Sequence, residues 1–242
     1  QLAGKPIWTP TYITISDLFR RHSDLKVADP IKSICDLHKV FVACTGIDET
    51  LDHFYGWGQL LLADFDDVDK NMVDAKLLFA NLSDIHELDD VSYLTDYQKA
   101  MIKKFFSNFS DDHNTELKKR FLQLWSHFYD IYVGFNQKLA EQQLAYEGAL
   151  YRKVVNDEDI DFHYKKYLFI GFNMMQIVEQ TLCDRLMKQG KALFYWDYDK
   201  YYMEGQNEAG HYIRQYLKHY PNELASYPQK DIYDNMSKNK DI

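Results

Sequence analysis

Glycine and proline are scarce in this chain, 10 and 5 among 242 residues. That scarcity argues against a many-turned all-β fold and leaves long helices as the main element. Cysteine is scarcer still. Cys35, Cys44 and Cys183 form no CxxC pair and no zinc spacing. An odd number points to a reduced, cytoplasmic setting rather than a disulfide framework. No apolar run approaches the roughly 18 residues of a membrane span, so no membrane partner is expected. Residues 1–15 lack the charged and apolar regions of a secretory leader. A starting Met is also missing, and the opening QLAGKPIWTP reads as the middle of a longer polypeptide. Positive charge is in deficit, 28 Lys and Arg against 37 Asp and Glu, a net of −9. A chain this acidic is a poor nonspecific nucleic-acid binder as a whole, because phosphate neutralisation needs clustered cations.

What is abundant is aromatic and acidic. The 19 Tyr and 15 Phe supply a bulky core and leave aromatic side chains over for contacts. The acid excess is local. Between Asp64 and Asp96 ten acids face two lysines, a net of −8, so this segment carries nearly all of the imbalance. Elsewhere small basic clusters stand out: Lys103-Lys104, Lys118-Lys119-Arg120, Arg152-Lys153 and Lys165-Lys166.

Apolar spacing places the elements. Residues 11–20 predict a short β-prone stretch that turns into a helix, capped by Ser16 with Asp17 in its first turn. Ile31, Ile34, Leu37, Val40, Phe41 and Cys44 predict a helix ended by Gly46. Residues 50–62 predict another, loosened by Gly56 and Gly58. Val68, Met72, Ala75, Leu78 and Phe79 predict the next, with Asp66 or Asp67 as its N-cap. Thr95 and Gln98 have capping-box spacing. Leu117, Phe121, Leu124, Phe128, Ile131, Phe135 and Leu139 predict a helix of roughly 30 residues, with Gly134 and Gly148 as bends or ends.

The character changes after residue 160. YLFIGF (167–172) predicts a buried strand, 175–190 a helix ending at Gly190, and KALFYWDYD (191–199) a second buried strand. Strand, helix, strand is a βαβ unit, which requires a parallel pair with Phe169 and Phe194 on neighbouring strands. A helix over about 208–218 follows, then a polar tail from Tyr227.

Several chemistries fail on spacing. An EF-hand starting at Asp64 would need Gly at its sixth position and Glu at its twelfth; Asp69 and Ala75 stand there. Capping, not metal, is therefore the expected role of the aspartates. The nine His contain no HExxH, and His211 and His219 are expected to flank a surface helix. GxSxG is absent. In Gly4-Lys5-Pro6 a proline replaces the Ser or Thr of a phosphate loop. The first strand of the βαβ unit ends Gly171-Phe172-Asn173, where an ATP motor carries carboxylates for Mg²⁺. The second ends with Asp197 and Asp199, at the strand ends where α/β proteins bind ligands. No partner base, nucleophile or phosphate loop accompanies them, so no cofactor is expected.

With these stretches in view, the chain resembles a known group. LLADFDDVDKNMVDAKLLFANLSDI, LAYEGALYRKV, YLFIGFNMMQIVEQTLCDRL and ALFYWDYDKYY look like the helicase-like N-terminal part of large Bacteroidetes proteins that end in a PD-(D/E)XK nuclease domain. These are similar to the AddB-type subunit of helicase–nuclease recombination machines, whose superfamily I ATPase motifs have decayed. The resemblance implies an α/β, predominantly helical fold: a small parallel sheet of RecA-like type with a large helical insertion. It implies a β-prone start at 1–20, an insertion over 21–160, the βαβ part at 161–225 and a loose tail at 226–242. It also implies a non-catalytic scaffold segment, with DNA, other domains of the same chain and a motor subunit as partners. Lys103, Lys104, Lys118, Lys119 and Arg120 are the candidate phosphate contacts. Two other classes stay open: a protein-interaction module that uses the acidic segment and the aromatic surplus, and a small-molecule enzyme that uses Asp197 or Asp199.

Overall fold

The computed structural model describes residues 9–80, 124–204 and 207–226. The chain is mostly helical, and among the described residues there are two small sheets, each one parallel pair of strands. It divides into two compact units, residues 1–160 and 161–242.

In the first unit, residues 9–14 carry neither helix nor strand, so the β-prone start is corrected there. Helix α1 (Ile15–Arg21) is capped by Thr14, not Ser16. Thr14 accepts from the Asp17 N–H while the Asp17 carboxylate accepts from the Thr14 N–H, a capping box whose cap lies two residues before the expected one. Strand β1 (Lys26–Val27) leads into α2 (Pro30–Thr45), which has Asp29 as N-cap and Pro30 in the first turn. Gly46 ends α2 in the left-handed conformation, φ 69°.

Helix α3 is one element, Leu51–Lys70, where two were expected. Its buried stripe of Phe54, Trp57, Leu61, Phe65 and Val68 runs unbroken through the aspartates. Gly58 does not loosen it. The Phe54 ring lies over Gly58, where an added Cβ would stand 2.5 Å from a ring carbon. That ring then packs on Phe41 and Trp57, centroids 5.1 and 5.4 Å away.

The short α4 (Ala75–Ala80) follows Asp74, whose carboxylate accepts from the Leu77 N–H at 3.1 Å. Helix α5 (Phe128–Ala140) follows a turn at 126–127, so the predicted 30-residue helix is interrupted there. The predicted period holds across the break, since Leu124, Phe128, Ile131, Phe135 and Leu139 are all buried. Strand β2 (Leu144–Ala145) pairs with β1 in parallel. Helix α6 (Glu147–Asn156) begins beside Gly148, which therefore starts a helix rather than ending one. Helices α2, α3 and α5 bury one continuous apolar cluster that includes Leu37, Phe41, Phe65, Ile131 and Phe135.

In the second unit, β3 (Tyr167–Ile170) and β4 (Ala192–Tyr195) pair in parallel, with Phe169 opposite Phe194. The two rings stack at 5.3 Å. Helix α7 (Ile177–Lys188) joins the strands and buries Val178, Leu182, Cys183 and Leu186. It ends in a Schellman motif: the Lys191 N–H donates to the Leu186 carbonyl, the Gly190 N–H to that of Met187, and Gly190 has φ 66°. Both strands are shorter than predicted, and β3 is buried on alternate residues only. Tyr167 and Phe169 are covered, whereas Leu168 and Ile170 are 51% and 61% exposed. The continuous apolar run does not produce burial on both faces. Helix α8 (Lys200–Met203), a 3₁₀ turn at Glu208–Gly210, helix α9 (His211–Tyr216) and a 3₁₀ turn at Glu223–Ser226 follow, where one helix over 208–218 was expected. Among the described residues no helix is long and apolar enough to cross a membrane.

Candidate functional site

The aspartates fall in the last two turns of α3, not at a helix start, so the capping expectation for Asp66 and Asp67 is corrected. Their side chains divide into two pairs. Asp66 and Asp69 bind the fold together. The Asp66 carboxylate accepts from the Gly148 N–H at 2.6 Å and pairs with Lys70 at 2.7 Å. Gly148 is required there, because a Cβ would stand 2.5 Å from the Asp66 carbonyl oxygen.

Asp69 is 1% exposed and sits at the centre of a network. It accepts from the Tyr132 hydroxyl at 2.6 Å, from the Tyr146 hydroxyl, and from the Arg152 guanidinium at 3.1 Å. Arg152 also donates to the Val73 carbonyl at 2.7 Å. Burial first, and the Asp69 charge with its hydrogen bonds second, push both tyrosine hydroxyls up, well beyond their usual range. They act as donors, not as acids, at any physiological pH. In the sequence Arg152 stands in a basic cluster, and nothing marks Tyr132 or Tyr146. Only their distance in space to Asp69 identifies them.

Asp64 and Asp67 are the second pair. They lie on the rim of an apolar cleft of about 400 Å³ lined by Leu61, Val68, Phe79 and Phe128 among others. Crowding by the cleft first, and the Asp67 charge second, push the Asp64 carboxyl up to about 6, although the residue keeps part of its surface in solvent.

A second cleft, of about 470 Å³, lies beyond the C-terminal end of β4, lined by Asp197, Asp199, Tyr202, Met203 and Ile213 among others. Asp199 caps α8, accepting from the Tyr201 N–H at 2.9 Å. Asp197 is exposed. The wall is held by Arg214, which donates to the Tyr202 and Asn207 carbonyls at 2.9 and 2.8 Å. At the end of β3, Gly171 has φ 78° and turns the chain away.

Of the remaining candidates, Lys153 pairs with Asp24 at 2.7 Å, and Lys166 donates to the Gly190 carbonyl at 2.7 Å. His219 meets Asp184 at 2.9 Å, and His211 meets Gln215 at 3.0 Å. Among the described residues no group of three or more His, Cys, Asp or Glu could hold a metal ion. Lys103, Lys104, Lys118, Lys119, Arg120 and the Thr95–Gln98 box lie outside the described residues. No family model, curated protein or solved structure matches the chain.

Proposed function

We propose that this chain is a non-catalytic, helicase-like scaffold segment of a DNA-repair helicase–nuclease, cytoplasmic, and part of a longer polypeptide. The observation that carries the reading is the parallel β3–α7–β4 unit, whose first strand runs out into Gly171-Phe172-Asn173. A motor places acidic side chains at that strand end to hold Mg²⁺ and orient water. Here the end offers a glycine turn, an aromatic ring and an amide. On this reading the unit keeps the framework of a nucleotide motor, and its first strand end lacks the motor's acidic groups. DNA contact then falls to Lys103, Lys104, Lys118, Lys119 and Arg120, and the acidic segment remains for protein partners. The test is salt-dependent binding of single-stranded DNA by the purified chain. The reading expects binding that weakens when Lys118, Lys119 and Arg120 are changed to Glu, and no ATP hydrolysis with or without DNA. Binding that survives the charge reversal, or ATP turnover abolished by one acidic substitution, would overturn it.

A second reading is favoured by the cleft at the end of β4. Its position beyond the carboxyl end of a parallel strand is the usual ligand position of α/β proteins, and Asp197 lines it. In this reading Asp197 and Asp199 bind a small molecule. A rise in the unfolding midpoint with a nucleotide or Mg²⁺, lost in Asp197→Ala, would favour it over the scaffold reading.

A further inference from the structure

The apolar cleft of the first unit has an aromatic floor that neither reading uses. The Trp125 ring lies 4.9 Å from that of Phe128 and 5.9 Å from that of Phe79, and Phe79 and Phe128 are 6.0 Å apart. The indole is held in place, since its Nε1 donates to the Phe79 carbonyl at 2.9 Å. At the mouth, Leu78 is 40% exposed. A volume of about 400 Å³ accepts a few side chains of a peptide segment.

The rim sets the chemistry of the occupant. Asp64 and Asp67 are three residues apart on α3 and share a face. Asp67 stands in the last turn of the helix, where the dipole already disfavours negative charge. Asp66 and Asp69 are committed to Lys70, Gly148 and the Tyr132–Tyr146–Arg152 network. The carboxylates of Asp64 and Asp67 make no ion pair among the described residues. Two repelling charges therefore stand beside an aromatic floor, and no cation among the described residues offsets them.

We propose that this cleft docks a basic, amphipathic peptide segment of a partner protein, with an apolar side chain on the Phe79–Trp125–Phe128 floor and Lys or Arg against Asp64 and Asp67. Charge selects the occupant. An acidic segment is repelled, and a wholly apolar one desolvates the carboxylates without pairing them. The inference does not depend on nucleic-acid binding by the chain.

The test titrates the purified chain with a short synthetic Leu/Lys amphipathic peptide and with its Leu/Glu counterpart, by calorimetry and tryptophan fluorescence. The Leu/Lys peptide is expected to bind and the Leu/Glu peptide not to. The double variant Asp64→Asn/Asp67→Asn is expected to weaken binding about five- to tenfold. Asp67→Asn alone, an exposed change, should act in the same direction with a smaller loss. Asp48→Asn/Asp52→Asn removes the same charge elsewhere and should leave the affinity unchanged. Absence of binding, equal affinity for both peptides, or equal loss in the control variant would overturn the proposal. Residues 101–106, Met-Ile-Lys-Lys-Phe-Phe, have the composition the cleft selects. Should the Leu/Lys peptide bind only after Lys103→Glu/Lys104→Glu, the occupant is the chain's own segment and the separate partner is ruled out.

Discussion

The guanidinium of Arg152 lies 3.1 Å from the carboxylate of Asp69, 83 residues away in the chain. With Tyr132 and Tyr146 it closes a network that fastens α3 to α5 and α6. Asp69 is almost fully buried, so removing it leaves a cation and two hydroxyls without their shared acceptor. Asp69→Ala is expected to cost about 3–5 kcal/mol of stability. Tyr146→Phe, which removes one donor, should cost about 1 kcal/mol. Urea unfolding of the two single variants and the double variant should give non-additive losses, because the groups act as a unit.

Two of the helical glycines in the first unit, Gly148 and Gly134, predict opposite outcomes. A Cβ at Gly148 would stand 2.5 Å from a backbone oxygen of Asp66, which cannot move without shifting α3. Gly148→Ala should destabilise by about 1–3 kcal/mol. At Gly134 the nearest atom is a methyl of Val40 at 3.1 Å, and a side chain can yield a few tenths of an ångström. Gly134→Ala should be neutral or stabilising by up to about 1 kcal/mol through helix propensity. Thermal unfolding of both variants checks the contrast.

Asp64 predicts a pH dependence of unusual sign. Its folded pKa, pushed up to about 6, lies above the ordinary carboxylate value of 3.8. Between those values the folded state binds more protons than the unfolded state, so this group's contribution falls as pH rises. It is most favourable below the unfolded pKa and is lost by the time pH passes the folded one. Asp64→Asn should therefore raise the unfolding midpoint at pH 7–8, with the gain disappearing below about pH 4. A variant less stable than the parent at neutral pH would contradict this.

Helix capping gives a test of register. Thr14→Ala should cost about 1 kcal/mol, whereas Ser16→Ala, inside α1, should cost only a few tenths. Asp67→Ala is expected to be neutral or slightly stabilising. Its carboxylate caps nothing and stands near the helix end where negative charge is disfavoured. Chemical denaturation of the three variants measures the order.

The local part of this architecture was written in the order of residues. The three-and-four spacing of Leu124, Phe128, Ile131, Phe135 and Leu139 predicted a buried stripe, because helical period is a property of neighbours along the chain. Gly46 and Gly190 predicted the ends of α2 and α7, because glycine takes a positive φ without steric cost. The run at 167–172, the helix after it and the run at 191–199 predicted a parallel pair, because a helix of that length returns the chain in the same direction. What failed also failed for a local reason. An aspartate near an apolar period reads equally as a cap or as an interior residue, and Thr50, not Asp66 or Asp67, proved to start α3.

The fate of the four aspartates was a matter for tertiary structure. Their spacing argues against a metal loop and for capping, but it carries no sign of which side chains the carboxylates meet. The choice was made by groups far along the chain: Tyr132, Tyr146, Gly148 and Arg152 arrive at Asp66 and Asp69, and no described cation arrives at Asp64 and Asp67. A hydrogen bond or ion pair acts over a few ångströms, and those distances are set by the packing of whole helices. The sequence by itself determined the helical apolar stripes and the glycine turns, because both depend only on neighbours along the chain. Only the packed fold decided which carboxylates are spent on stability and which stand at the mouth of a cleft.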